Sequence, residues 1–306
     1  MNRALAIGLV CFAGLVRAEI PTADARHLYD LRGSVDNPLS LPTDVSVGDS
    51  GRVYVVDSGN DRVAVFSERG GRMETFSGPG RGSGRLLDPV GIGIGGNGDV
   101  YVADKGNARI SVFSSDGVFR KLIPLFADGV PVAPVDVAVM PDGPALVVTG
   151  NSNHRVMVFD IDGGFVRAWG GSGINDGEFR YPATVAVDDD ALIYVVDVLN
   201  TRVQRFSRRG QFQVQLGRWG VRPGQLFRPK GVAVDRARRV YVSDSYLGVV
   251  QVFDAESRFL HVLGRDAVPL RWSAPAGMDV DAEYRLFVAE MMANKVSVYS
   301  LRSGER

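Results

Sequence analysis

The stretch Pro89-Val-Gly-Ile-Gly-Ile94, followed by Val100-Tyr-Val-Ala-Asp104-Lys-Gly-Asn107-Ala-Arg109-Ile-Ser-Val-Phe113, decides the fold because it recurs. Its leading proline returns at Pro42, Pro134, Pro182, Pro229 and Pro275, so that the six are separated by 47, 45, 48, 47 and 46 residues. A fixed period of this size marks one supersecondary unit copied in series. After each proline, large apolar residues stand three and five places on and small ones two and four places on, as in Pro134-Val-Asp-Val-Ala-Val139. In a strand of period two this makes one bulky face and one face of close approach.

Three further strands complete each unit. The second reads Val53-Tyr-Val-Val-Asp57, Val100-Tyr-Val-Ala-Asp104, Ile193-Tyr-Val-Val-Asp197 or Val240-Tyr-Val-Ser-Asp244, and the third Arg62-Val-Ala-Val-Phe66 or Arg202-Val-Gln-Arg-Phe206. The fourth reads Gly164-Phe-Val-Arg-Ala-Trp169 or Gln211-Phe-Gln-Val-Gln-Leu216, and glycine-rich loops lead to the next proline. Four strands repeated six times predict an all-β, six-bladed β-propeller of four-stranded antiparallel blades, which leaves only short, protected sheet edges. A solenoid would need polar caps at both ends. Here the sixth unit has no outer strand after Val296-Ser-Val-Tyr299, while His27-Leu-Tyr-Asp-Leu-Arg32 precedes the first proline. The N-terminal strand is therefore expected to complete the last blade and close the ring.

The signature Val-Tyr-Val-Ala-Asp, two spacers, Asn-x-Arg-Ile/Val, two residues, Phe resembles the NHL repeat, and the resemblance spans about residues 26 to 300. The Gly-His and Trp-Asp pairs of tryptophan-aspartate repeats are missing. The resemblance implies that the loops joining fourth to first strands and second to third strands share one face of the ring.

The first eighteen residues stand apart from the repeat. Arg3 precedes an apolar run from Ala4 to Val16, and Val16-Arg17-Ala18 ends in small residues, a signal-peptide pattern with expected cleavage between Ala18 and Glu19. Thirteen apolar residues rise only about 20 Å as a helix, short of a bilayer core of roughly 30 Å. The expected organisation is a signal peptide over 1–18 and a single propeller domain over 19–306, periplasmic or secreted. The sole cysteine, Cys11, lies in the leader, so stability of the mature chain rests on packing and closure. Without Arg3 and Arg17, 33 basic residues face 35 acidic ones, and this balance gives no reason to expect nucleic acid. A monomer without an integral membrane segment is expected.

Function is sought where the copies differ. The Asp and Arg of the signature are read as structural, pairing and capping the loop backbone. Blade 3 places Gly150 at the Asp position, keeping Asn153 and Arg155. Blade 5 replaces Asn by Leu247 and Arg by Val249, and blade 6 reads Glu290-Met-Met-Ala-Asn-Lys295. Tyr246, Leu247, Met291 and Met292 thus stand where polar residues were expected, either as a protein-contact patch or repacked between blades. The loops entering these blades add Arg218, Arg222, Arg228, Lys230, Arg265 and Arg271, with Trp219 and Trp272 among them. Arginine beside aromatics suits phosphate, carboxylate or sugar surfaces, although a solvated loop surface has the same composition. The resemblance includes tripartite-motif NHL proteins that bind RNA through such a face. In an exported chain, a protein partner or an anionic polymer is the more natural counterpart.

Enzymatic readings are weighed against this. Peptidyl-hydroxyglycine lyase, an NHL-like propeller, holds zinc with three histidines. His27 and His261 fall on outer strands here and His154 in a loop, positions that cannot converge on one ion. Gluconolactonase-like propellers bind calcium near the central channel. The counterparts would be Asp44 and Asp136, with Asp279 deeper, although calcium takes six to eight oxygens and the equivalent positions elsewhere are mostly small. Such carboxylates also serve water and backbone donors. The expectation is a non-catalytic binding or scaffold protein with no cofactor, acting through the loop face of blades 5 and 6. The alternative is a hydrolase or lyase at the axial channel.

Overall fold

The structure, a computed structural model, describes residues 20–301 apart from 68, 72, 128, 142, 144 and 151; the leader and its cleavage site lie outside them. Each of the six prolines is the first residue of an inner strand. Blade 1 comprises Pro42–Val47, Val53–Asp57, Arg62–Phe66 and Met73–Phe76; blade 2, Pro89–Ile94, Val100–Asp104, Arg109–Phe113 and Phe119–Pro124. Blade 3 comprises Pro134–Val139, Ala145–Gly150, Arg155–Asp160 and Phe165–Gly170; blade 4, Pro182–Val187, Ile193–Asp197, Arg202–Phe206 and Phe212–Leu216. Blade 5 comprises Pro229–Val234, Val240–Asp244, Val249–Phe253 and Phe259–Arg265. In blade 6, Pro275–Val280, Arg285–Glu290 and Lys295–Ser300 are joined by Arg26–Leu31 as the antiparallel outer strand. The ring closes as the repeat predicts.

The period-two pattern explains how the blades stack. Along the second strand of blade 1, Val53 and Val55 pack toward blade 6, whereas Tyr54 and Val56 pack toward blade 2. Six apolar clusters result, one between each pair of consecutive blades. Tyr54, Tyr101, Tyr194 and Tyr241 are fully buried at equivalent positions, and the hydroxyls of Tyr194 and Tyr241 donate to Asp188 and Asp235. Burial of the ring with a hydrogen-bonded hydroxyl is the favourable arrangement for tyrosine.

Three elements lie outside the repeat, one of them Val268–Pro269, which pairs antiparallel with the outer strand of blade 5. Phe126–Ala127 and Val130–Pro131 form a hairpin before blade 3. Thr22–Asp24 adds to the outer strand of blade 5 in parallel, with Thr22 opposite Val262. The Pro21 carbonyl accepts from Val262 N, and Ala25 N donates to the Gly264 carbonyl. The N-terminal segment therefore clasps two blades. Within it, Asp30 accepts from His27, Arg32, Lys295 and Ser297. No helix among the described residues is long and apolar enough to cross a membrane.

Candidate binding face

The signature residues are structural in detail. Asp104 is fully buried and accepts from Leu87 N, Asn107 Nδ2, Ser111 Oγ and Arg109 Nε, the last at 2.7 Å. Arg109 also donates to the carbonyls of Arg81, Gly82 and Arg85, so that it pins the loop entering blade 2. Asp57 with Arg62 and Asp197 with Arg202 repeat the arrangement. Blade 5 compensates for its lost Asn and Arg with backbone. Asp244 accepts four N–H groups, from Phe227, Arg228, Tyr246 and Leu247. In blade 6 the longer Glu290 reaches Ser273 N and pairs with Lys295 at 3.2 Å. At blade 3 a Cβ on Gly150 would lie 2.4 Å from Asn153 Oδ1, and the loop closes without an acid.

These repairs leave side chains outward on the shared loop face. Trp219 is 72% exposed, Tyr246 63% and Met292 70%, and Tyr246 stacks on Phe227 with ring centroids 4.3 Å apart. Leu247 and Met291 are half-buried. Arg218, Arg222, Arg228, Arg265 and Arg271 are exposed; Arg271 donates to the Leu247 carbonyl, and Arg265 lies 3.6 Å from Asp266. Lys230 is half-buried on the inner strand, and its pKa is lowered by burial and then by Arg228.

One residue of the expected surface is elsewhere. Trp272 is only 4% exposed and belongs to the core between blades 5 and 6, 5.4 Å from the Tyr299 ring. Apolar burial outweighs its loop position, so it cannot be a surface contact. Other residues were not anticipated. Leu199, 52% exposed, and Tyr181 and Arg180, also exposed, extend the face over blade 4. The available signal was the middle residue of the loop joining second and third strands, which is Gly59 and Gly106 in blades 1 and 2 but Leu199, Tyr246 and Met292 in blades 4, 5 and 6.

The channel carboxyls are tied to neighbouring blades. Asp44 accepts from Ile92 N of blade 2, Asp136 from Val185 N of blade 4, and Asp279 from Val47 N of blade 1. Asp44 and Asp136 also lie near enough to each other at the inner strand of blade 2 for the charge of one to act on the other, and a Cβ on Gly91 would collide with Asp136. Burial raises all three pKa values, Asp279 to about 6, and the charge of Asp136 raises Asp44 further. The histidines are dispersed: His27 bonds Asp30, His154 Nδ1 accepts from Tyr181 N, and His261 sits on the outer strand of blade 5. Among the described residues no group of three or more His, Cys, Asp or Glu side chains is arranged to hold a metal ion. At the opposite mouth, Asp49, Asp189, Glu283 and Arg236 surround a cavity of about 450 Å³.

The channel predicts an unusual pH profile. An unfolded aspartate ionises near pH 3.9, whereas the folded chain keeps these protons to about pH 6 or beyond. Protons bound preferentially by the native state make stability fall as pH rises through this window. Asp30 acts in the other direction. Burial alone would raise it, but hydrogen bonds from His27, Lys295 and Arg32 hold it well below the usual range, and that contribution is lost as pH falls below about 4. The melting temperature should therefore peak near pH 4–5 and decline by several degrees toward pH 8, less so in Asp279→Asn. A flat Tm from pH 5 to 8 would contradict this account.

Comparison with known proteins agrees with this architecture. A family model for the NHL repeat matches residues 39–66 and 86–113. No curated protein sequence matches the chain significantly. Among solved structures, a streptogramin B lyase superposes with a TM-score of 0.66 at 13% identity, covering 91% of this chain and 98% of the other. A gluconolactonase from Xanthomonas campestris gives 0.68 at 16% identity, covering 92% and 96%. A chain of a nidogen/laminin complex gives 0.62 at 19%, covering 79% and 86%. At these identities the likeness is one of fold, shared by enzymes and binding proteins alike. The chain is a six-bladed β-propeller whose first two blades match the NHL repeat.

Proposed function

We propose that this propeller is a non-catalytic binding platform of the periplasm or extracellular space, with its contact surface on the loop face of blades 5 and 6 and its continuation over blade 4. The observation that carries this reading is the outward projection of Trp219, Tyr246 and Met292 among Arg218, Arg222 and Arg228. Aromatic residues, arginine and methionine are the types enriched where protein contacts are made. The expected counterpart is a protein or an anionic polymer.

A second reading, hydrolase or lyase chemistry in the axial channel, is favoured by the paired carboxyls of Asp44 and Asp136. Mutants separate the two. Capture of envelope components by the immobilised protein should drop at least tenfold in Arg218→Ala/Arg222→Ala and stay unchanged in Asp44→Asn. Undiminished capture by the arginine variant, together with an activity abolished by Asp44→Asn, would replace the binding reading by the catalytic one.

A further inference from the structure

The loop face is chemically two-sided, and the division follows the blades. In blades 1 and 2 the middle residue of the loop joining second and third strands is glycine, tucked over the preceding loop: a Cβ on Gly59 would lie 2.4 Å from Ser40 Oγ, and one on Gly106 2.7 Å from the Leu87 carbonyl. The N–H of Leu199 donates to the Arg180 carbonyl just as Gly59 N does to that of Ser40, so the backbone is equivalent while the side chain projects. Leu199, Tyr246 and Met292 thus form an apolar arc over three consecutive blades, extended inward by Tyr181 and outward by Trp219.

Arginines border this arc, and they differ from the arginines that hold the blades together. Arg62, Arg109, Arg202, Arg239 and Arg285 each hold a carboxylate within 3 Å. Among the described residues, Arg180, Arg218, Arg222 and Arg228 pair with none, although all four are exposed. A guanidinium is best matched by a carboxylate or phosphate in bidentate geometry. A uniformly charged, hydrated polyanion would satisfy the arginines yet leave the Leu, Tyr, Met and Trp side chains uncovered. An apolar ligand would have the opposite defect. An extended chain with side chains alternating in direction supplies both kinds of group at short intervals.

We propose that this arc receives an extended polypeptide segment of a partner protein in which carboxylates are interspersed with apolar side chains. The proposal rests on the reading of this face as a binding surface and specifies the partner that it takes. Carboxylates meet Arg180, Arg218, Arg222 and Arg228, and apolar side chains cover Leu199, Tyr246, Met292 and Trp219.

The test is to pan a displayed random 12-residue peptide library on the whole protein, with counter-selection on an Arg218→Ala/Arg222→Ala/Tyr246→Ala variant whose melting temperature matches the parent. Peptides enriched in both Asp or Glu and Leu, Phe, Tyr or Trp are expected. The best of them should shift the fluorescence of Trp219, a shift lost in Trp219→Phe, and should bind at least tenfold more weakly to Leu199→Ser or to the triple variant. Loss through Leu199→Ser is the part that a purely ionic contact would not give. Selection without acidic enrichment, or without dependence on these residues, overturns the proposal. So does heparin binding more tightly than every selected peptide and indifferent to Leu199→Ser. In that last case the face is a polyanion site, and the binding-platform reading stands while the peptide inference fails. The envelope-capture experiment decides that reading separately.

Discussion

A chain beginning at Arg32 should lose cooperative unfolding altogether and aggregate on concentration. It lacks both Thr22–Asp24 and Arg26–Leu31, so the strand Lys295–Ser300 becomes an unpaired edge, a template for association between chains. Leu31 and Ala25 also leave the two cores that flank blade 6. Full burial of one leucine side chain contributes about 1.5–3 kcal/mol. Loss of the ladder bonds and of the Asp30 network adds to it, against a typical total stability of about 5–15 kcal/mol. A synthetic peptide spanning residues 20–31, added in trans, should restore a sigmoidal melt. The clasp would be shown dispensable by a truncated chain that melts cooperatively within a few degrees of the intact one.

Replacing Asp104 by alanine should be the most damaging single substitution of a polar residue, costing about 3–5 kcal/mol, because it leaves the buried guanidinium of Arg109 without its counter-charge. At roughly 2–4 °C per kcal/mol for a domain of this size, Tm should fall by about 10 °C or more. Leu87 N, Asn107 and Ser111 lose an acceptor together, so the loop entering blade 2 should gain amide hydrogen exchange before the rest of the ring. The double variant Asp104→Ala/Arg109→Leu should recover part of the loss by removing the stranded charge. A Tm change below 3 °C for Asp104→Ala would mean that the carboxylate is replaceable by water. Gly150→Asp, by contrast, should not create a fourth such site: its Cβ would collide with Asn153 and with Val132.

The ring was legible in the sequence, and its inner strands to their first residue, because prolines that open strands and Val-Tyr-Val runs are fixed by local geometry and by the close packing between blades. The closing strand was legible for the same reason, since the sixth unit lacked an outer partner. The parallel pairing of Thr22–Asp24 was not, because three residues bound through backbone groups carry no side-chain signature. On the loop face, Tyr246 and Met292 project, one of the two orientations that their broken motifs left open, and Trp219 projects from the loop entering blade 5, whereas Trp272 turns inward; hydrophobicity alone does not distinguish the two orientations. Leu199 escaped notice because its loop retains Asn200 and Arg202, so the blade looked intact around it. Asp44 and Asp136 could be placed near the axis, but the neighbouring N–H groups that bind them belong to other blades, beyond the reach of any local pattern.

The clasp also imposes an order of events on the chain. Arg26 pairs with Ser300, 274 positions later, and Thr22 with Val262, 240 positions later. Chain-closure entropy grows only logarithmically with such separations, so the native state bears little penalty for them, but contacts of this range are slow to form. During synthesis these strands are made before the blades they join, and blades 1 to 4 can assemble while they wait. Throughout that interval the segment carrying Leu28 and Leu31 can pair equally well with blade 6 of another molecule, which makes exchange of N-terminal strands the characteristic misassembly of this propeller at high concentration.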